Sequence, residues 1–148
     1  MDLKDRELNE LFKLANKIGS RRYHQLTDRD FQEYLKFNRW RYINGDFECG
    51  TTPQSQAWVK EHSDWYCPIC SEPYRDRGGK TIDHKLPRSQ YPWLSLAWSN
   101  LWVICRACNR EKGEKHWYEY EQYIYYKYPQ DYCVVRNARP IELLNSLK

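Results

Sequence analysis

The chain has 148 residues, about the length of one ordinary domain. Hydrophobic residues make up 41% of it and aromatic residues 16%, which excludes a disordered segment despite a mean hydropathy of −1.00. No run approaches the roughly 18 apolar residues of a membrane span, and the acidic start does not resemble a signal peptide, so we expect a cytoplasmic protein.

Positive charge is concentrated in one part of the chain. The formal net charge at pH 7 is +4. Residues 73–116 contain nine lysines and arginines but only four acidic residues, so all of the excess positive charge lies in this segment. Such a segment indicates a surface that binds a polyanion, although an imbalance of this size also occurs on ordinary solvated faces.

The first 62 residues are expected to form a layer of helices. Apolar residues recur at three- and four-residue steps over residues 3–18, which predicts a first helix. A second helix should begin after Thr27 and end at Gly45. Thr52 and Pro53 combine an N-cap residue with a first-turn proline and predict a short third helix.

Two short strands and a long loop follow. Gly78 and Gly79 suit a tight turn with positive φ. Residues 80–84 and the β-branched, aromatic run at residues 101–105 are expected to be strands. The loop of about 15 residues between them is longer than most structural connections, and such loops are more often functional.

The remainder of the chain is expected to be helical. A helix should follow Cys105 and run through Trp117, and residues 118–128 should extend or restart it until Pro129 stops it. Apolar residues after Pro140 predict a last short helix. We therefore expect a single domain over residues 1–148, with a helical layer (1–62), a central core (63–118) and a C-terminal helical extension (119–148).

Four of the six cysteines form two Cys-x-x-Cys pairs, Cys67 with Cys70 and Cys105 with Cys108. Two such pairs without an export signal favour thiolates on a metal over disulfides. Four thiolates complete a tetrahedral zinc shell with no open position, so this Zn²⁺ should be structural. Redox-active pairs would require a thioredoxin-like βαβ context, which the pattern lacks. Cys49 and Cys133 are expected to be small buried hydrophobes.

A second set of polar residues lies between and beside these pairs. Asp83 and His84 end the first predicted strand, Asn100 precedes the second, and Asn109 follows Cys108. Together with the cysteine pairs, this order resembles the HNH endonuclease family in its zinc-stapled form, with Asn in place of the last His. The resemblance covers residues 66–116. It implies an α+β fold: a small ββα-metal core with a four-cysteine zinc site, flanked by N-terminal helices and a C-terminal helical tail.

The resemblance also implies roles for individual residues. His84 would be the general base, Asp83 and Asn109 would hold a catalytic divalent ion, and Asn100 would brace the long loop and orient His84. The chemistry suits these residue types, because histidine can accept a water proton near neutral pH and a divalent ion can bind the scissile phosphate. Some relatives carry another His where this chain has Gly113. Two protein ligands favour Mg²⁺ or Mn²⁺.

Nucleic-acid contacts are expected around this site. The loop aromatics Tyr91, Trp93 and Trp98 could stack on bases, although packing is expected for two of the three. Five basic residues near the site are expected to contact phosphates: Arg88, Arg106, Arg110, Lys112 and Lys115.

The predicted function is metal-dependent hydrolysis of phosphodiester bonds in DNA, most simply double-stranded DNA, by a bacterial or phage-encoded endonuclease. Two alternatives stay open: a zinc-containing nucleic-acid-binding module without catalysis, and a nuclease active only within a phage, restriction or defence complex. Taken singly, each site residue is more often a turn or cap residue than a catalytic one. Sequence specificity, nicking against double-strand cleavage, RNA as a substrate, and a protein partner or homodimer also stay open.

Overall fold

The computed structural model describes residues 28–148. The first predicted helix, over residues 3–18, lies outside the described residues. The described part is a mixture of helices around one small sheet, which confirms the predicted α+β class. Its elements are α1 (Asp28–Ile43), α2 (Pro53–Glu61), β1 (Lys80–His84), β2 (Leu101–Cys105), α3 (Arg106–Lys112), α4 (Trp117–Lys127), α5 (Tyr132–Asn137) and α6 (Ile141–Ser146).

Helices α1 and α2 have the predicted positions. Helix α1 ends shortly before Gly45, whose φ is +74°. The Thr52 side chain accepts the N–H of Ser55, and the Ser55 hydroxyl accepts the N–H of Thr52 in return. This reciprocal capping box starts α2 immediately before Pro53.

Strands β1 and β2 form an antiparallel pair with the predicted boundaries. Lys80 lies opposite Cys105, and His84 lies opposite Leu101. The last residues of β1 therefore lie beside the first residues of β2, although about 15 residues separate them in sequence. Helix α3 follows β2 directly and packs against both strands. Lys112 at the end of α3 donates to the carbonyl of His84, so the end of β1, the start of β2 and the end of α3 meet in one place.

The helix predicted from Cys105 through Trp117 is wrong in its extent. Helix α3 ends at Lys112, because the chain turns at Gly113 with φ +55° and ψ −134°, a conformation outside any helix. A new helix, α4, begins at Trp117 after His116, whose Nδ1 accepts the N–H of Tyr118. His116 is thus an N-cap residue.

Helix α5 was not predicted, and it corrects one prediction about cysteine. Val135 is the buried residue of this short helix. Cys133 lies on its outer side and is exposed, so the predicted burial of Cys133 is wrong. Cys49 is half-buried.

One hydrophobic cluster runs through the described residues. It joins Leu35 of α1, Val59 of α2, Val103 of β2, Tyr120 of α4 and Leu143 of α6. The small sheet is therefore packed between helices that come before and after it in sequence. Among the helices that the structure describes, none has the length and apolar character needed to cross a membrane.

Candidate metal centre and active site

The four predicted zinc cysteines are brought together at one end of the sheet. Cys105 ends β2 and Cys108 lies in the first turn of α3. All four sulfur atoms lie within 4.8 Å of one another. The sulfurs of Cys70 and Cys105 are 3.9 Å apart, close to the roughly 3.8 Å edge of a tetrahedron with Zn–S bonds of about 2.3 Å. The cluster suggests a structural metal such as zinc.

Hydrogen-bond donors surround the sulfur atoms. The N–H of Cys105 donates to Cys67 Sγ at 3.4 Å, and the N–H of Cys108 donates to Cys105 Sγ at 3.3 Å. Nη2 of Arg77 lies 3.9 Å from Cys108 Sγ, and its interactions with Cys108 and Cys105 raise the pKa of Arg77. Zinc with four thiolates carries a net charge of about −2. These donors offset part of that charge.

Asp83 is buried where β1 meets α3, with 7% of the residue exposed. Its Oδ2 accepts from Trp102 Nε1 at 2.7 Å and from Lys112 Nζ at 3.1 Å. Burial raises the pKa of Asp83 and lowers the pKa of Lys112, so each group relies on the other's opposite charge to stay ionised. Oδ1 of Asp83 makes no hydrogen bond within residues 28–148. This oxygen can bind an ion.

His84 ends β1, and the long loop orients its ring. Nε2 of His84 lies 3.0 Å from the carbonyl oxygen of Ser95. Because a carbonyl oxygen only accepts, Nε2 carries the proton of the neutral imidazole, and Nδ1 is left to accept another. Burial lowers the pKa of His84, which favours this neutral form. Ser95 is itself held in place, since its hydroxyl donates to Pro92 and accepts the N–H of Gly50.

Asn100 is fully buried and holds two parts of the long loop together. Its Oδ1 accepts the N–H of Leu86 at 2.8 Å. Its Nδ2 donates to the carbonyls of Leu86 at 3.1 Å and Leu94 at 3.2 Å. Asn100 therefore contacts the chain two residues after His84 and one residue before Ser95.

Asn109 lies on α3 beside β1. Its Nδ2 donates to Thr81 Oγ1 at 3.0 Å. Thr81 and Asp83 are two residues apart on β1 and share one face of the strand. Lys112 of α3 contacts Asp83 one helical turn after Asn109. Asn109 and Asp83 are thus placed along the same contact between β1 and α3.

The five predicted phosphate contacts differ in exposure. Arg88, Arg106 and Arg110 are exposed. Lys115 is half-buried, and its Nζ donates to the carbonyl of Glu111. Lys112 is completely buried in its ion pair with Asp83. This burial contradicts the predicted phosphate contact of Lys112, because its ammonium group does not reach the surface.

The three loop aromatics all take part in packing. Trp98 is buried in the core. The half-buried rings of Tyr91 and Trp93 meet edge to face with centroids 5.7 Å apart, and Trp93 also lies 5.8 Å from Tyr42 of α1. Packing explains their presence in the loop without a role in base stacking.

Thr81, Trp102 and Lys112 contact the predicted ion ligands, and sequence reasoning missed these contacts. The strand register contained a signal for Trp102, since antiparallel pairing of the two strands places it opposite Asp83. Helical periodicity contained a signal for Lys112: it lies three residues after Asn109, so the two side chains share one face of α3. The sequence did not reveal which face of α3 packs on the sheet.

A family model matches the part of the chain that contains the candidate site. Residues 67–115 match the family model described as HNH endonuclease. The match confirms the resemblance over the segment that contains the cysteine cluster, Asp83, His84, Asn100 and Asn109. Neither the curated proteins nor the solved structures include a match to this chain. The family match supports a nuclease or nucleic-acid-related function in general.

Proposed function

We propose that the protein is a metal-dependent endonuclease that hydrolyses phosphodiester bonds of DNA. One observation carries the proposal: two side chains suited to this chemistry adjoin at the end of β1, and a third lies on α3, which packs on that strand. They are His84, whose Nδ1 can accept a proton, Asp83, whose Oδ1 makes no hydrogen bond within residues 28–148, and Asn109 with its amide. All three lie within the segment that matches HNH endonuclease. Such a group combines a base with an oxygen-rich ion site, the two components that phosphodiester hydrolysis needs.

In this proposal His84 is the general base. The bond from Nε2 to the Ser95 carbonyl keeps the ring in one orientation and one tautomer. The proton of the attacking water therefore moves to Nδ1. The lowered pKa of His84 keeps the imidazole neutral, and so able to act as a base, at neutral pH. Asn100 would act on His84 through the loop, because the Asn100 side chain is hydrogen-bonded both to Leu86, near His84, and to Leu94, beside Ser95.

Asp83 and Asn109 would hold the divalent ion through one oxygen each. Carboxylate and amide oxygens suit Mg²⁺ or Mn²⁺, which keep several waters when few protein ligands are present. When bound, the ion would supply positive charge at the scissile phosphate and the leaving oxygen. Lys112 offsets the charge of Asp83, so we expect the protein alone to hold the ion weakly and DNA phosphates to strengthen its binding.

The exposed arginines near the site would contact the DNA backbone. Arg88, Arg106 and Arg110 lie in the positively charged segment and face solvent. Contacts to phosphates give affinity without sequence information, so they are compatible with either specific or non-specific cleavage. We assign the nuclease core to residues 63–118, with residues 1–62 and 119–148 as additions before and after it.

Cleavage of supercoiled plasmid in Mg²⁺ tests the proposal. His84→Ala should lower the rate by about 10²–10⁴, because it removes the base from the chemical step. Its zinc content and melting temperature should stay close to wild type. His62→Ala is the matched control: His62 is exposed at the end of α2, stacks on Trp58 and should be dispensable.

The outcomes separate the functions still open. Equal cleavage by wild type and His84→Ala would contradict the proposal. DNA binding without cleavage, under all conditions, would favour a zinc-containing binding module instead. Cleavage that appears only with a cellular partner, and that still requires His84, would indicate a nuclease of a larger complex.

A further inference from the structure

We infer that Thr81 is a positioning residue that sets the direction of the Asn109 amide and so presents its oxygen to a divalent ion. The inference rests on the proposed function, in which Asn109 is an ion ligand. Thr81 lies outside the set of residues on which the family resemblance was based. Its role follows from the hydrogen bonds that its hydroxyl group makes.

The hydroxyl group of Thr81 has one proton, and the partners of that group determine where the proton goes. Oγ1 of Thr81 donates to the carbonyl oxygen of Ile104 at 2.8 Å. Ile104 lies directly opposite Thr81 in the strand pairing, so the sheet itself maintains this contact. A carbonyl oxygen cannot donate in return. Thr81 can therefore only accept a hydrogen bond from Asn109, which lies 3.0 Å away.

This constraint determines which end of the Asn109 amide faces Thr81. An asparagine side chain carries a donor, the NH₂ group, and an acceptor, the carbonyl oxygen, on opposite sides of one carbon. The NH₂ group must face Thr81, and the oxygen is consequently turned away from it. A rotation of the amide by 180° is disfavoured, because it would place the carbonyl oxygen of Asn109 against Thr81 Oγ1. Both atoms would then be acceptors, with no proton between them. Only the oxygen can ligate a cation, so this orientation decides whether Asn109 can serve as a ligand.

The location of Thr81 suits this role. Thr81 and Asp83 share one face of β1, and Asn109 and Lys112 lie one turn apart on α3. Lys112 forms an ion pair with Oδ2 of Asp83, while Thr81 accepts a hydrogen bond from Nδ2 of Asn109. Each proposed ligand thus has one polar atom held across the contact between strand and helix, and its other polar atom makes no hydrogen bond within residues 28–148.

Binding of Mn²⁺ to the zinc-loaded protein without DNA, measured by electron paramagnetic resonance, tests the inference. Thr81→Val keeps the shape of the side chain but removes the hydroxyl group, and it should weaken Mn²⁺ binding about 3- to 10-fold, the effect of losing one hydrogen bond. Thr81→Ser keeps the hydroxyl group and should bind within about twofold of wild type. Thr81→Ala serves the same purpose if the valine variant does not fold.

Repeating the Thr81 substitutions in an Asn109→Asp protein separates an effect on the orientation of the amide from a general disruption of the site. In Asn109→Asp both side-chain oxygens can ligate, so no orientation has to be selected. Adding Thr81→Val, or Thr81→Ala, to Asn109→Asp should therefore cause no loss of Mn²⁺ affinity. An equal loss in the wild-type and Asn109→Asp backgrounds would overturn the inference, because the hydroxyl group would then act on the fold of the site.

Asn109→Ala distinguishes failure of this inference from failure of the proposed function. If Asn109→Ala binds Mn²⁺ as wild type does, Asn109 is not a ligand and the proposed ion site is wrong. If Asn109→Ala weakens binding but the hydroxyl-free variants bind normally, the ion site stands and the positioning role of Thr81 is overturned. The inference is supported if Asn109→Ala and the hydroxyl-free variants both weaken Mn²⁺ binding while Thr81→Ser binds Mn²⁺ nearly as wild type does.

Discussion

Lys112 shows how the environment of one residue changes its function. From its place in a basic segment it was expected to contact phosphate, but its ammonium group is buried against Asp83 and donates to the carbonyl of His84 at 3.0 Å. Lys112 therefore contacts both residues at the end of β1. A buried charge that loses its partner is costly, because it has neither water nor an opposite charge beside it.

Lys112→Met should strongly destabilise the protein. The substitution keeps most of the apolar stem but leaves the Asp83 carboxylate buried without its partner. Breaking a buried pair in this way costs about 3–5 kcal/mol, which urea unfolding would measure. Lys60→Met, at an exposed position of α2, is the matched control and should unfold near the wild-type midpoint. Equal midpoints for the two variants would show that the ion pair contributes little.

At the scale of elements, the turn before β1 is closely packed on the start of α3. Gly78 and Gly79 have φ of +89° and +90°, so any side chain is strained at either position. The two positions differ in the space around them. A Cβ atom at Gly78 would lie 2.9 Å from Cβ of Arg106, whereas one at Gly79 would meet nothing within 4 Å.

Gly78→Ala should therefore destabilise the protein more than Gly79→Ala. Both variants incur the cost of a left-handed backbone, roughly 1–2 kcal/mol. Gly78→Ala must in addition displace the turn from Arg106, the residue that follows the zinc ligand Cys105. Urea unfolding of both variants measures the difference, and zinc content checks the effect on the cluster. Equal stability of the two variants would show that the turn moves freely relative to α3.

At the scale of the whole molecule, several contacts tie the C-terminal helices to the core. Nζ of Lys85, the residue after His84, donates to the carbonyl of Ala138 at 2.9 Å. Arg139 binds the buried carboxylate of Glu121 through two nitrogens, each at 2.9 Å. The sheet of two five-residue strands is small, and its stability depends on these helices and on the cysteine cluster.

Cys67→Ser should prevent stable folding or abolish zinc binding. A four-thiolate zinc site contributes folding free energy directly, and losing one ligand opens the shell. Cys133→Ser is the control, because Cys133 is exposed and distant in sequence from the cluster. Zinc content and melting temperature are the measurements. A Cys67→Ser protein that melts as wild type does and retains its zinc would exclude the cluster as the zinc site.

Local sequence was enough to predict the elements that local interactions form. The run of β-branched and aromatic residues at Leu101–Cys105 predicted a strand, and Thr52 with Pro53 predicted the start of a helix. The spacing of the cysteines predicted one metal cluster, because two short knuckles can meet around one ion. The order of Asp83, His84, Asn100 and Asn109 predicted one site through its resemblance to the HNH endonuclease family.

Only the tertiary structure decided how these parts meet. The break at Gly113, the exposure of Cys133 and the burial of Lys112 all depend on which faces of α3, α5 and the sheet pack together. The contact of Thr81 with Asn109 depends on it as well. Periodicity and spacing describe the geometry along the chain, whereas burial and hydrogen-bond partners are set by residues that are distant in sequence. The candidate residues of the site could therefore be proposed from the sequence, whereas the contacts that orient them could not.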